Sequence, residues 1–148
     1  LEKSKLLIQT LLKKLVISKG LESKVEILGR VQGQEKDLIY RNATLVVVPS
    51  RYETFGLVAL EALAYGKAVI RFELDSLKWI PDNCAKSVKP FSVEELTEAI
   101  SVLLSNPEER KILSENGLKF SQQFSWDRVV QLYRDYLSKI SEAKFDDK

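Results

Sequence analysis

Hydrophobic residues recur along this chain in two patterns, one typical of amphipathic helices and one typical of buried strands. Residues 2–19 place leucines four apart on one stripe and most lysines off it, which predicts a helix closed by Gly20. Residues 25–28, VEIL, predict a short strand, and residues 35–41 predict a short helix.

The middle of the chain alternates between strand and helix. Residues 45–48, LVVV, form an apolar run stopped by Pro49, which is typical of a parallel strand buried on both faces. A helix over 56–65, a strand over 68–72 and a last short strand over 87–89 follow. This order predicts an α/β fold, with a doubly wound, Rossmann-like parallel sheet flanked by helices.

The last third of the chain predicts helices, each with a recognisable start. Ser92 and Glu95 have the spacing of a capping box for a helix ending near residue 104. Asn106 supplies the cap of the next helix, and Ser125 caps the last one. We expect one domain over 1–148, with a frayed tail over 143–148.

The composition of the chain excludes several kinds of functional site but says little about the fold. The net charge of +2 argues against a dedicated nucleic-acid-binding protein. The chain has no histidine, which excludes a Ser-His-Asp triad and histidine metal ligands within it. Its single cysteine, Cys84, favours a reducing, cytoplasmic location, and no apolar run approaches the roughly 20 residues of a membrane span.

Glu61 is the only charged residue of the helix predicted over 56–65. A helix that is apolar nearly all round is buried on most sides, and an unpaired buried carboxylate is costly. Glu61 must therefore reach solvent, a partner or a ligand.

Glu53 lies just before that helix, in the loop at the carboxyl edge of the predicted sheet, where ligands of such sheets bind. The amides of Phe55, Gly56 and Leu57 are free donors at a helix N-terminus, and glycine allows close approach of an anion. Carboxylates accept hydrogen bonds from sugar hydroxyls. The segment thus predicts a phosphate-sized anion site flanked by two carboxylates, which would suit a nucleotide-sugar.

The segment PSRYETFGLVALEALAYGKAVI resembles the E-x7-E signature of retaining glycosyltransferases with the two-Rossmann-domain GT-B fold, above all glycosyltransferase family 4. The match includes Pro49, Glu53, Gly56, Glu61 and Gly66. The similarity extends over residues 25–137. By this resemblance the chain is the C-terminal, donor-binding half of a GT-B fold.

The resemblance also implies roles for individual residues. Glu53 contacts the donor sugar at the catalytic centre, and Glu61 accepts hydrogen bonds from the nucleotide ribose. The diphosphate is held by the amides of Phe55, Gly56 and Leu57, and the base is bordered by Arg30 and Val31. The implied reaction transfers a sugar from a UDP- or GDP-sugar to an acceptor hydroxyl with retained configuration, without a metal or other cofactor.

Two departures from the family pattern qualify this expectation. The chain begins at Leu1 without the preceding strand, its Arg and Lys, or an N-terminal acceptor domain. We therefore expect a fragment, inactive alone, of a protein that binds an acceptor glycan, lipid or small molecule through the missing domain. Residues 73–80 lack the family's Gly-Gly turn, and Lys78 stands near its glutamate, so that Lys78 is a candidate for a phosphate contact.

Alternatives remain open at this point. Glu61 could be a surface carboxylate, and Glu53 could compensate the helix dipole. We expect Trp79 to serve packing, and the lysine-rich first helix leaves peripheral contact with the inner face of the membrane as an alternative. At the level of function, the alternatives are a non-catalytic nucleotide-sugar-binding module with a regulatory role and a sugar-nucleotide epimerase half-domain.

Overall fold

The computed structural model describes the backbone of residues 2–143 and the side chains of residues 6–141. Two compact units divide the chain, residues 1–39 and residues 40–148. The helices of the described part are α1 (Glu2–Ser18), α2 (Gly33–Asn42), α3 (Leu57–Ala64), α4 (Val93–Ser105), α5 (Pro107–Ser121) and α6 (Trp126–Ala143). The strands are β1 (Leu45–Val48), β2 (Ala68–Phe72) and β3 (Lys86–Val88).

The three strands form one parallel sheet in the order β1-β2-β3. Val46 lies opposite Val69, and Ile70 lies opposite Lys86. Every residue of the central strand β2 is buried, as expected for a parallel strand covered on both faces. The predicted α/β fold is confirmed, and the loops that follow β1 and β2 leave the sheet at the same edge.

Side chains of β2 alternate between two cores, because successive strand residues point to opposite faces. On one face Val69 packs in a cluster with Ala59 and Leu63 of α3. On the other face Ile70 packs in a cluster with Leu103 of α4 and other residues of α4 and α5. Helices therefore cover both faces of the sheet, which is the layered arrangement that the sequence predicts.

The predicted helix caps are also observed. The Ser92 hydroxyl accepts a hydrogen bond from the amide of Glu95 at 3.2 Å, and the Asn106 side chain accepts one from the amide of Glu109 at 3.1 Å. The Glu95 carboxylate accepts from the amide of Lys89 at 2.8 Å. This hydrogen bond links the first turn of α4 to Lys89, directly after β3.

The strand predicted over residues 25–28 is wrong, because these residues form irregular backbone. They follow α1, which ends before Gly20 in the left-handed conformation (φ 62°). A strand needs a neighbour to pair its backbone N–H and C=O groups. Within the described part of the first unit no second strand is present, so the apolar pattern of these residues has no ladder to join.

Burial is lower than expected at three places. Residues 45–47 are only half-buried, since β1 is an edge strand. Helix α3 exposes Leu57 and Val58, so it is not buried on most sides. Most apolar residues of α6 are exposed as well, including Trp126 and Tyr136, whereas Val129 is half-buried. Ala143 ends α6, and the rest of the tail predicted over 143–148 lies outside the described residues.

Candidate functional site

Two segments meet at the carboxyl edge of the sheet. The first is residues 49–56, between β1 and α3, which we call the motif loop. The second is residues 73–82, which follow β2 and which we call the 73–82 segment. Glu53 is half-buried in the motif loop, and its Oε1 accepts a hydrogen bond from the amide of Thr54 at 3.0 Å. Phe55, Gly56 and Leu57 follow directly, and Glu61 lies one turn further along α3.

Gly56 is the N-cap of α3 and lies in the left-handed conformation (φ 88°). A Cβ atom at this position would also collide with the side chain of Leu77, in the 73–82 segment. Glycine is therefore required on two grounds, backbone conformation and space. The carbonyl of Gly56 accepts a helical hydrogen bond from the amide of Leu60 at 3.0 Å. The amides before Leu60 therefore have no acceptor within the helix and point away from its N-terminus.

Glu61 is half-buried and has a partner that sequence reasoning missed. The Tyr40 hydroxyl donates to Glu61 Oε2 at 3.2 Å and lies 3.4 Å from the carbonyl of Val58. Tyr40 is 8% exposed, and its ring stacks on Tyr65 at a centroid distance of 5.0 Å. Burial, and then the charge of Glu61, raise the pKa of Tyr40 to about 12. The phenol is therefore held in its neutral, hydrogen-donating form.

Replacing Tyr40 by phenylalanine tests the raised pKa of Tyr40 through the pH dependence of stability. Because the folded pKa of Tyr40 lies above the ordinary value of about 10, its contribution to stability is complete below pH about 10 and is lost as the pH rises through about 12. This loss amounts to about 2 to 3 kcal/mol for the wild-type chain and is absent from Tyr40→Phe. Urea unfolding of both proteins at rising pH measures it. Parallel stability curves for the two proteins would contradict the raised pKa of Tyr40, to which burial contributes first and Glu61 second.

The loop residue proposed for a phosphate contact has a partner of its own. Lys78 Nζ lies 2.7 Å from Asp75 Oδ1, and both side chains are exposed. Hydrogen bonding and attraction within this pair raise the pKa of Lys78 and lower the pKa of Asp75. A phosphate contact by Lys78 stays a prediction, and a bound phosphate would compete with Asp75 for it.

Trp79 joins the 73–82 segment to the motif loop. Its indole N–H donates to the carbonyl of Phe55 at 2.9 Å, and the two rings stack at 4.7 Å with an interplanar angle of 15°. Phe120 and Phe124 pack on the same indole. The packing role expected for Trp79 is confirmed, and its hydrogen bond to the motif loop is a feature that the sequence did not predict.

Arg71 is a buried cation that sequence reasoning took only as part of a strand. It lies in β2 and is 2% exposed. Its Nη2 donates to the carbonyl of Ile80 at 2.9 Å and lies 3.5 Å from Asp82 Oδ1. Burial lowers the pKa of Arg71, whereas Asp82 raises it. Arg71 therefore fastens the 73–82 segment to the core.

The remaining predicted site residues, Arg30 and Val31, belong to the unit of residues 1–39. There the guanidinium of Arg30 lies beside the side-chain amide of Gln32. The assignment of both residues to the nucleotide base stays a prediction. None of the helices in the described part of the chain has the length and apolarity needed to cross a membrane.

Solved structures share this fold. Sucrose-phosphate synthase from Thermosynechococcus elongatus is 32% identical, with a TM-score of 0.75 over 86% of this chain and 34% of its own. The Anabaena protein HepE, solved in complex with UDP, is 22% identical, with a TM-score of 0.79 over 88% of this chain and 36% of its own. These structural neighbours are GT-B glycosyltransferases.

Sequence comparison gives the same assignment. A protein of Methanocaldococcus jannaschii, described as an uncharacterized glycosyltransferase, is 36% identical over 122 residues, which are 81% of this chain and 35% of that protein. The chain thus spans about a third of the length of such relatives. Residues 9–120 match the family described as glycosyl transferases group 1. The chain belongs to the glycosyl transferases group 1 family.

Proposed function

We propose that this chain is the donor-binding domain of a retaining hexosyltransferase of the family 4 type, which transfers a sugar from a UDP- or GDP-sugar to an acceptor hydroxyl. The observation that carries the proposal is the motif loop with α3. It places Glu53 before a helix N-terminus and Glu61 one turn beyond it, in a chain of the glycosyl transferases group 1 family. The UDP bound to HepE, which shares the fold, supports a nucleotide donor.

The diphosphate would bind at the N-terminus of α3. The amides of Phe55, Gly56 and Leu57 precede the helical ladder, and the helix dipole adds partial positive charge at the same place. Gly56 adopts the left-handed conformation with which the motif loop enters α3, and the Leu77 side chain packs against it. When the sugar–phosphate bond breaks, negative charge develops on the leaving nucleoside diphosphate, and these fixed donors stabilise it.

The two carboxylates would bind the polyhydroxylated rings on either side of the diphosphate. A carboxylate only accepts hydrogen bonds, and hydroxyl groups of ribose and of the donor sugar can donate them. We assign Glu61 to the ribose, because Tyr40 engages Oε2 of its carboxylate and the group is half-buried. We assign Glu53 to the donor sugar. No metal or other cofactor is part of the proposal, since the resemblance implies none.

The acceptor and the transfer itself are proposals about more than this chain, which spans about a third of the length of its relatives. We propose a glycan, lipid or small-molecule acceptor, bound by a separate domain. A cytoplasmic location follows from the single Cys84, with contact at the inner face of the membrane as the alternative.

Calorimetry tests the donor site directly. The chain is titrated with UDP, GDP, the corresponding monophosphates and UDP- and GDP-sugars. We expect one nucleoside diphosphate and its sugar derivative to bind, with the diphosphate bound more tightly than the monophosphate. Equal binding of diphosphate and monophosphate, or binding of neither diphosphate, would contradict the proposed site.

A further inference from the structure

We propose that Trp79 is a positioning residue, which orients the amide of Gly56 toward the diphosphate. This inference rests on the proposed function, because it assigns the orientation of a donor in the site described above. The observation behind the inference is the hydrogen bond from the Trp79 indole N–H to the carbonyl of Phe55 at 2.9 Å. Neither the motif nor the family comparison predicts this bond.

The geometry of the peptide unit links this bond to the anion site. The carbonyl of Phe55 and the N–H of Gly56 belong to one peptide group, which is planar and trans. Fixing the direction of the carbonyl therefore fixes the N–H, which points the opposite way. Since Trp79 donates to this carbonyl, it determines where the Gly56 N–H is aimed.

Two further contacts keep the same peptide from turning. The Phe55 ring stacks on the Trp79 indole at 4.7 Å, so the residue before the peptide is held by its side chain. The Leu77 side chain lies against Gly56 where a Cβ would otherwise stand, so the residue after the peptide is held by packing. Glycine alone would leave the backbone free to rotate, and these neighbours remove that freedom.

Trp79 is itself held by contacts from several elements. Arg71 donates to the carbonyl of Ile80, the next residue, from a buried position in β2. Phe120 and Phe124 pack on the indole from the end of α5 and the turn that follows it. The 73–82 segment has no Gly-Gly turn. Its side chains instead contact the motif loop and hold it in place.

The experiment compares Trp79→Phe with Phe124→Leu. Phenylalanine keeps an aromatic ring for stacking on Phe55 but has no N–H to donate. Leucine at 124 removes the aromatic contacts of Phe124 with Trp79 and Phe55, but it leaves Phe120 on the indole and the hydrogen bond from Trp79 to Phe55 in place. Calorimetry measures the affinity of each variant for the preferred nucleoside diphosphate and for its monophosphate, and thermal unfolding measures stability.

We expect Trp79→Phe to weaken binding of the diphosphate about five-fold, since one neutral hydrogen bond orients the donor. Its affinity for the monophosphate should stay close to that of the wild-type chain. Phe124→Leu should lower the melting temperature without changing the ratio of the two affinities. A merely structural role of Trp79 would instead weaken both ligands equally.

Fluorescence gives a second readout that is independent of how well Trp79→Phe folds. Trp126 is 82% exposed on α6, and Trp126→Phe leaves Trp79 as the only fluorophore of its kind. The emission of this variant should change on addition of the diphosphate, with the midpoint found by calorimetry. The emission of Trp79→Phe, in which only Trp126 remains, should not change.

The outcomes separate the inference from the proposed function. If the wild-type chain prefers the diphosphate and Trp79→Phe keeps the same preference, the positioning role is wrong and the donor site stands. A silent Trp79 emission during saturation with the diphosphate would also overturn the positioning role. If the wild-type chain shows no preference for the diphosphate, both proposals are wrong.

Discussion

Replacing Glu53 by glutamine is expected to lower sugar transfer by on the order of 100-fold, while nucleotide affinity changes by less than about three-fold. Glu53 lies half-buried in the motif loop, and its Oε1 accepts the amide hydrogen of Thr54. Glutamine has the same shape and keeps an oxygen acceptor for that amide. It lacks the negative charge and adds an N–H donor, so the contact with the hydroxyls of the donor sugar is altered and the loop is not.

Steady-state kinetics measure this effect in a polypeptide that carries this domain together with an acceptor-binding domain. Calorimetry with the nucleoside diphosphate, which lacks the sugar, gives the affinity of the nucleotide part alone. Glu73→Gln is the matched control, because Glu73 is an exposed carboxylate directly after β2 at the same edge of the sheet. A loss of nucleotide affinity as large as the loss of turnover would place Glu53 on the nucleotide or on the helix dipole instead of the sugar.

The sequence predicted the elements of the second unit well, because the signals there are local. LVVV and AVIRF form β1 and β2, within the bounds that the apolar runs give. Ser92 and Asn106 form the helix caps that their spacing predicts. A cap or a buried parallel strand depends on a few consecutive residues, so the pattern itself contains the information.

Residues 25–28 show where a local pattern is insufficient. An apolar run has the side chains of a strand, but a strand exists only through hydrogen bonds to a neighbour. The partner is a property of the rest of the chain, which the pattern of four residues does not specify.

The candidate site shows the same limit for side chains. The helical pattern indicated that Glu61 needs solvent, a partner or a ligand, but it could not identify Tyr40, which lies 21 positions away along the chain. The bond from Trp79 to Phe55 spans 24 positions and joins two loops, for which no periodicity exists. The apolar neighbours of Arg71 in the sequence predicted a buried strand. Its role in holding the 73–82 segment depends on the backbone carbonyl of Ile80, nine positions away.

Removing the carboxylate of Glu61 should weaken binding of the nucleoside diphosphate by about 10- to 100-fold, since hydrogen bonds to a charged group contribute about 1.5 to 3 kcal/mol. Glu61→Ala removes the acceptor for the ribose hydroxyls and also leaves the buried Tyr40 hydroxyl with the more distant Val58 carbonyl, at 3.4 Å. Tyr40→Phe is the matched control, because it removes the neighbouring donor but keeps the carboxylate.

A 2′,3′-dideoxynucleoside diphosphate tests the assignment of Glu61 to the ribose, because it lacks both ribose hydroxyl groups that could donate to the carboxylate. The wild-type chain should bind the ribose form more tightly than the dideoxy form, and Glu61→Ala should bind the two forms alike. Tyr40→Phe should keep most of the preference, since the carboxylate remains in place and loses only the donor that engages Oε2. If Glu61→Ala weakens the binding of both ligands equally and the preference for ribose persists, the carboxylate supports the fold of α3 and another residue binds the ribose hydroxyls.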